Sequence, residues 1–97
     1  MKILKFTSSW CGACVIFDRE VISKYQGNIP IETIDIDKNL DLSSKYRIDF
    51  VPTCIFVDDN NKEIKRIVGL ISFNDFLLSI AKEGVEWVLF KRFVKIV

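Results

Sequence analysis

Two cysteines three residues apart, Cys11 and Cys14, are the residues of this sequence best placed to do chemistry. Residues 2–6 predict a short strand, and from Cys14 onward apolar residues recur at helical spacing as far as Tyr25. The pair is therefore predicted to lie where a strand passes into a helix. The first N–H groups of a helix carry partial positive charge, which favours a thiolate at Cys11. A thiolate is the form of cysteine that attacks a disulfide.

The spacing also gives each sulfur a partner. Three residues along a helix return to about the same face, so we expect Cys14 beneath Cys11, close enough to form a disulfide. One cysteine can then attack and the other can resolve a mixed disulfide. We expect no cofactor beyond the redox-active disulfide Cys11–Cys14. The chain has no histidine, which excludes Cys/His catalysis and a His-ligated metal site, and we predict no metal.

The apolar pattern also predicts the elements that must position this pair. The predicted strands are residues 2–6, 31–37, 53–57 and 63–68, and the predicted helices start near Cys14, at residue 40 (ending at 47) and after Ser72. The last two strands are joined by an Asp-Asp-Asn-Asn turn and form a hairpin, and Ser72 is a good N-cap. This order predicts an α/β fold with a mixed four-stranded sheet flanked by helices, in which a β-α-β unit pairs two strands in parallel.

Three segments, in the same order, resemble motifs of the thioredoxin family. Trp10-Cys11-Gly12-Ala13-Cys14 resembles the Trp-Cys-Gly-Pro-Cys active site, Lys45-Tyr46-Arg47-Ile48-Asp49-Phe50-Val51-Pro52-Thr53 resembles the cis-proline segment, and Ile67-Val68-Gly69-Leu70 with Ser72 resembles the approach to the last helix. The resemblance covers about residues 2–82. The start lacks the extra strand and helix of many thioredoxins, so it resembles small phage or archaeal-type members and the glutaredoxins.

The resemblance implies a thiol–disulfide oxidoreductase that reduces protein disulfides, with Cys11 as the nucleophile and Cys14 as the resolving residue. It also implies a cis bond before Pro52 and backbone pairing of Val51 with an extended substrate. Further substrate contacts are expected at Trp10, Gly12, Ala13 and Gly69, although Gly69 could equally serve only a turn.

Two positions depart from the family pattern. Ala13 stands where thioredoxins usually have proline, which predicts a less rigid helix start and a more oxidising potential. Lys5 aligns with the family's buried aspartate and is a possible modulator of the cysteine pKa values. If buried and charged it would favour a Cys14 thiolate, and if neutral it could accept a proton. The alternative is that Lys5 extends to water near a strand edge.

Two further features have competing interpretations. Cys54 is expected to be a small buried residue of the core, and the alternatives are a third redox thiol or a metal ligand with the first pair. Residues 85–97 lie outside the resemblance, and on a helix they would show a wide apolar face with a basic stripe. We expect this extension to pack on the domain rather than to lie on a membrane or dock a partner.

Composition limits the remaining possibilities. With 97 residues, 49% of them hydrophobic, the chain is predicted to form a single domain, residues 1–97. A net charge of +1 does not suggest nucleic-acid binding, and we expect a monomer with no membrane partner. Residues 1–6 are too short for a signal peptide, so we expect a cytoplasmic protein.

The implied partners are disulfide-containing proteins and a reductant, either a thioredoxin reductase or a small thiol. Two other functions remain open from the sequence. One is a glutaredoxin-like enzyme coupled to glutathione, and the other is a non-catalytic binding module that retains the fold.

Overall fold

A computed structural model describes residues 1–81, and strands and helices alternate along this part of the chain. The elements are β1 (Lys2–Thr7), α1 (Gly12–Glu20), β2 (Ile31–Asp35), α2 (Leu40–Lys45), β3 (Thr53–Val57), β4 (Glu63–Val68) and α3 (Phe73–Ala81), with one turn of 3-10 helix at Ile22–Lys24. The predicted extension at residues 85–97 lies outside the described residues.

The four strands form one mixed sheet in the order β2-β1-β3-β4. β1 runs parallel to β2, with Ile3 opposite Ile31, and antiparallel to β3, with Lys5 opposite Cys54. β3 and β4 form the predicted hairpin. All five residues of β3 are buried, which suits a central strand, whereas both edge strands carry exposed residues. The predicted α/β fold with a mixed four-stranded sheet flanked by helices is confirmed.

Side chains alternate between the two faces of the central strands, and this alternation divides the core into two layers. The layer beneath α1 and α3 contains Ile3, Phe17, Val21, Ile29, Cys54, Phe56, Phe76 and Ile80. The opposite layer contains Leu4, Phe6, Ile34, Tyr46, Ile55 and Val57. Because neighbouring residues of a strand point to opposite faces, Lys5 shares its face with Ile3 and is directed towards the α1 layer.

Two helices end earlier than their spacing predicts. The apolar pattern continues to Tyr25, but α1 ends at Glu20 and the chain tightens into the 3-10 turn. Tyr25 nevertheless packs edge-on against Phe76, so its apolar spacing reflects burial rather than a continuous helix. α2 ends at Lys45 and not at residue 47, because Arg47 has a left-handed backbone with φ of 51°.

Phe76 is expected to contribute strongly to the stability of the α1 layer. It is fully buried, and both Phe17 and Tyr25 make edge contacts with its ring. Phe76→Ala removes these contacts and leaves a cavity, so we expect a loss of about 3–5 kcal/mol in the free energy of unfolding. Urea denaturation of the two proteins measures the difference.

Leu78 provides the matched control, because it lies two residues further along α3 and is exposed. We expect Leu78→Ala to change the free energy of unfolding by less than about 1 kcal/mol. Equal losses in the two variants would contradict the assigned core face of α3.

Candidate active site

Cys11 lies at the predicted junction, directly before the first residue of α1. Its backbone is extended, with φ of −98° and ψ of 107°, and its Sγ accepts a hydrogen bond from the backbone N–H of Cys14 at 3.1 Å. Cys11 is thus the N-cap of α1, a position usually taken by an oxygen-bearing side chain. The cap exists because β1 ends at Thr7 and the next four residues turn the chain into the helix, with the Cys11 N–H donating to the Ser8 carbonyl at 3.3 Å.

The loop before β3 reaches the same sulfur. Sγ of Cys11 donates to the carbonyl oxygen of Val51 at 3.6 Å, and the Val51–Pro52 peptide bond is cis, which confirms the predicted isomer. The carbonyl of Pro52 in turn accepts from the N–H of Gly69 at 2.8 Å. The fold therefore brings Cys11, Val51, Pro52 and Gly69 together from three separate stretches of the chain.

Gly69 has a backbone reason to be glycine. Its φ is +92°, a conformation that other residues rarely adopt, whereas a Cβ atom added there would meet no other atom within 4 Å. The positive φ therefore supports the interpretation that Gly69 serves a turn. Gly12 is exposed at the first position of α1, and Ala13 follows it half-buried.

A cleft of about 200 Å³ opens beside the nucleophile. It is lined by Trp10, Cys11, Ile36, Ile48, Asp49, Phe50 and Val51. Trp10 is 70% exposed, with its indole N–H donating to the Asp37 carboxylate at 3.0 Å, and Phe50 is 68% exposed. Sequence reasoning identified Trp10 and Val51 but missed Ile36, Ile48 and Phe50. The available signal was an apolar side chain within the cis-proline segment for Ile48 and Phe50, and an apolar side chain near the end of the predicted strand 31–37 for Ile36.

Cys14 is deeply buried, only 2% exposed. Burial is the main cause that raises the pKa of its thiol, and the hydrogen bond with Cys11 raises it further. Hydrogen bonds from the Thr7 side chain and the Ser8 backbone oppose this rise in the pKa. Cys14 therefore tends to keep its proton in the free dithiol.

Lys5 is also buried, with 3% of its surface exposed, so the interpretation that it extends to water is wrong. Its ammonium group donates to the carboxylate of Asp18 on α1, and this ion pair explains why a lysine is tolerated in the core layer. Sequence reasoning missed Asp18. The available signal was its position four residues after Cys14, on the same face of the helix.

Cys54 lies on β3 opposite Lys5 and is 2% exposed. Burial raises the pKa of its thiol to about 12, although the charge of Lys5 acts in the opposite direction. The expectation of a small buried core residue is confirmed.

All three cysteines are free thiols, and within residues 1–81 no three His, Cys, Asp or Glu side chains are grouped to hold a metal ion.

The thioredoxin family profile matches residues 1–82. Thioredoxin H7 of Arabidopsis thaliana is 34% identical over 72 residues, which are 71% of this chain and 54% of that protein. A thioredoxin of Pseudomonas aeruginosa is 30% identical over 71 residues, 70% of this chain and 66% of that protein. This chain belongs to the thioredoxin family, and it spans about half the length of several of the curated relatives it matches.

Solved structures agree with this assignment. The malaria parasite thioredoxin-2 structure has a TM-score of 0.71 at 31% identity, covering 82% of this chain and 80% of that one. Thioredoxin 1 of Thermosipho africanus has a TM-score of 0.69 at 28% identity, covering 86% and 93%. In the part of the chain that the structure describes, no helix is long and apolar enough to cross a membrane.

The raised pKa of Cys54 predicts that this thiol is protected from alkylation in the folded protein. A rise from the usual 9.0 to about 12 lowers the thiolate fraction near neutral pH by about a thousandfold. In reduced protein treated with iodoacetamide at pH 8, we expect Cys54 to react at least a thousandfold more slowly than in urea. Mass spectrometry of the Cys54 peptide measures both rates, and similar rates in the two states would show that the site is accessible.

Proposed function

We propose that this chain is a thiol–disulfide oxidoreductase that reduces disulfides in protein substrates. The observation that carries the proposal is the position of Cys11. Its sulfur caps α1, accepts the Cys14 N–H and lies 3.6 Å from the Val51 carbonyl at the edge of an apolar cleft. A substrate disulfide that enters this cleft would meet the Cys11 sulfur beside the backbone of Val51, which we propose binds the substrate.

In the first step the Cys11 thiolate attacks one sulfur of the substrate disulfide. A bond forms between Cys11 and that sulfur, the substrate disulfide breaks, and the other substrate sulfur leaves as a thiolate that takes up a proton. The N–H of Cys14 supports this step because a hydrogen bond to an anionic acceptor is stronger than one to a neutral acceptor.

In the second step Cys14 loses its proton and attacks the Cys11 sulfur. The Cys11–substrate bond breaks, the electron pair leaves with the substrate sulfur, and the Cys11–Cys14 disulfide remains. The pKa of Cys14 is raised in the free dithiol partly by its interactions with Cys11. In the mixed disulfide Cys11 has no free thiol, so it no longer raises the pKa of Cys14 as a thiol does. Cys14 therefore ionises more readily in the second step.

The cleft supports an extended, partly apolar segment as the substrate. The backbone of Val51 is the proposed site of strand addition, and Pro52 and Gly69 hold that loop against the end of β4. Trp10 supplies an exposed apolar wall, while Gly12 and Ala13 form the helix start next to the nucleophile. These six residues are the proposed substrate contacts.

Turnover requires a reductant for the Cys11–Cys14 disulfide, and we propose a thioredoxin reductase or a small thiol. Because that reaction needs a reducing compartment, we propose the cytoplasm as the site of action. Relatives of similar sequence include thioredoxins named as mitochondrial, such as that of Bos taurus. Localisation of the tagged full chain in its native cell tests this part of the proposal.

Serine substitutions separate the two roles of the cysteines. With insulin as the disulfide substrate and dithiothreitol as the reductant, we expect Cys11→Ser to abolish turnover because no thiolate remains to attack. In a separate incubation of reduced Cys14→Ser with insulin and no dithiothreitol, we expect a covalent mixed disulfide between Cys11 and the substrate to accumulate, detected as an added mass that later addition of dithiothreitol removes.

Cys54→Ala is the matched control, since Cys54 is a buried thiol with no part in either step, and it should retain turnover. Undiminished turnover by Cys11→Ser would contradict the proposal, whereas absence of turnover by the unaltered chain would favour a binding module. Re-reduction of the disulfide by glutathione alone, and not by a thioredoxin reductase with its nicotinamide cofactor, would instead favour a glutaredoxin-like enzyme.

A further inference from the structure

Arg66 lies on the edge strand β4 and binds a distant part of the chain. It is opposite Ile55 of β3, so its side chain projects from the same face of the sheet as the opposite layer of the core. Its guanidinium group donates two hydrogen bonds to the Glu63 carboxylate, each at 2.7 Å. It also donates to the backbone carbonyl of Tyr46 at 2.6 Å and, more weakly, to that of Arg47 at 3.5 Å. One side chain therefore joins β4 to the segment that follows α2.

The end of α2 has carbonyl groups that the helix itself does not pair. The N–H groups of Arg47 and Ile48 turn back to two carbonyls of the last turn of α2, at 3.1 and 3.0 Å, which is the Schellman form of helix ending. The carbonyls that come next along the chain need donors from elsewhere. Arg66 provides such donors for two of them, and hydrogen bonds from a charged donor are stronger than those from a neutral one.

Arg47 takes the position in this helix ending that glycine usually fills. Its φ is 51°, a left-handed conformation that residues with a side chain rarely adopt. The turn is therefore maintained by its contacts and not by the backbone preference of its own residue. Arg66 binds the carbonyls on both sides of the Arg47 Cα atom, so it stabilises the turn at its least favourable point.

This turn leads directly into one side of the cleft beside the nucleophile. Residues 48–51, which we call the cleft wall, all line that cleft. The far end of the wall is held by the Thr53 hydroxyl, which donates to the Phe50 carbonyl at 2.6 Å. The near end begins at the turn that Arg66 binds. The wall is thus fastened at both ends, once by its own neighbour in sequence and once by a residue of another strand.

We propose that Arg66 is a positioning residue for protein substrates, which fastens the cleft wall to β4 and so holds it in the geometry that an extended substrate segment pairs with. The proposal rests on the function proposed above, because it concerns the same cleft. Arg66 is not among the residues that line the cleft, so its effect reaches the substrate through the wall. A disulfide within a protein segment needs the wall, whereas a small disulfide needs only the Cys11 sulfur.

The hydrogen bonds to the carbonyls, and not the ion pair alone, carry this proposal. The side chains of Arg66 and Glu63 are 29% and 33% exposed, and exposed ion pairs contribute little to stability. The two bonds to Glu63 instead fix the plane of the guanidinium group, which directs a remaining N–H towards the end of α2. The Tyr46 hydroxyl also donates to the Asn61 carbonyl at 2.6 Å, so the end of α2 stays tied to the hairpin when Arg66 is changed.

Arg66→Met in the full chain tests the proposal, because it keeps the apolar stem and removes every donor. If the released wall takes the binding geometry about a tenth of the time, the apparent affinity for a segment that needs it falls about tenfold. We expect the second-order rate constant for insulin to fall about tenfold and that for bis(2-hydroxyethyl) disulfide to change by less than about twofold. Fully reduced protein is mixed with an excess of each disulfide, and the remaining thiols are trapped over time.

Arg66→Lys is the second variant. It keeps the charge, but an ammonium group lacks the planar fork that binds a carboxylate and two carbonyls together, so we expect the ratio of the two rate constants to fall by about threefold. If Arg66→Met does not fold, the ratio in Arg66→Lys alone decides. An unchanged ratio would overturn the proposal, and so would equal losses with both disulfides, which indicate a general structural role.

Arg19→Met is the matched control, since Arg19 forms an exposed ion pair with the adjacent Glu20 on α1. We expect its ratio to stay within about twofold of that of the unaltered protein, and an equal fall in this control would contradict the assigned role of Arg66.

Hydrogen exchange of the amides of Arg47 and Ile48 tests the positioning without any substrate. We expect exchange at least about tenfold faster in Arg66→Met than in Arg19→Met, because the turn opens more often. Equal exchange in the two variants would overturn the proposal. A failure of the unaltered chain to reduce insulin would instead count against the proposed function, since the exchange measurement does not depend on it.

Discussion

The hydrogen bond from the Cys14 N–H to the Cys11 sulfur is the interaction on which the rest of the site depends. It forms only because α1 begins at Gly12, so that Cys11 takes the capping position. The start of α1 is in turn fixed by Phe17 and Val21, which anchor the chain on the sheet. The packing of the core thus determines which cysteine lines the cleft and which lies deeper in the domain.

The alternation of side chains along β1 explains how a charged residue comes to lie in the α1 layer. Alternation along β1 directs Ile3 and Lys5 towards α1, and Leu4 and Phe6 towards the opposite layer. A slip of one residue would exchange the two sets and place the apolar residues of each layer in the other. Lysine is compatible with the α1 layer only because the facing turn of the helix supplies Asp18.

The sequence was sufficient for features that depend on local pattern. The strand-to-helix junction at Cys11, the hairpin and the start of α3 follow from apolar spacing and turn residues, and the cis bond before Pro52 followed from a motif. The environment of Lys5 could not be predicted in this way, because burial of a lysine depends on whether another element provides an anion. The partner is 13 positions away, on a helix whose rotation about its axis is set by tertiary packing.

The cleft was incompletely predicted for a related reason. Ile36 follows β2, and Ile48 and Phe50 precede the cis-proline, so these side chains meet Trp10 only after the parallel β1–β2 pair and the loop before β3 are in place. The early end of α1 has a different cause. Tyr25 keeps the spacing of a helical residue because it must reach Phe76, and one turn of 3-10 helix delivers it there equally well.

The three thiols differ in environment although they lie in one small region, and this difference supports the proposal that only Cys11 and Cys14 take part in the chemistry. Cys54 lies on β3 within the core of the α1 layer, and burial raises the pKa of its thiol to about 12, which disfavours the nucleophilic thiolate. Cys14 is equally buried, but hydrogen bonds from Thr7 and Ser8 partly offset the effect of burial on its pKa. Of the three cysteines only Cys11 lines the cleft, which is consistent with its proposed role as the nucleophile. The proposed order of attack and resolution matches this difference, because Cys11 is in contact with the cleft and Cys14 lies deeper in the fold.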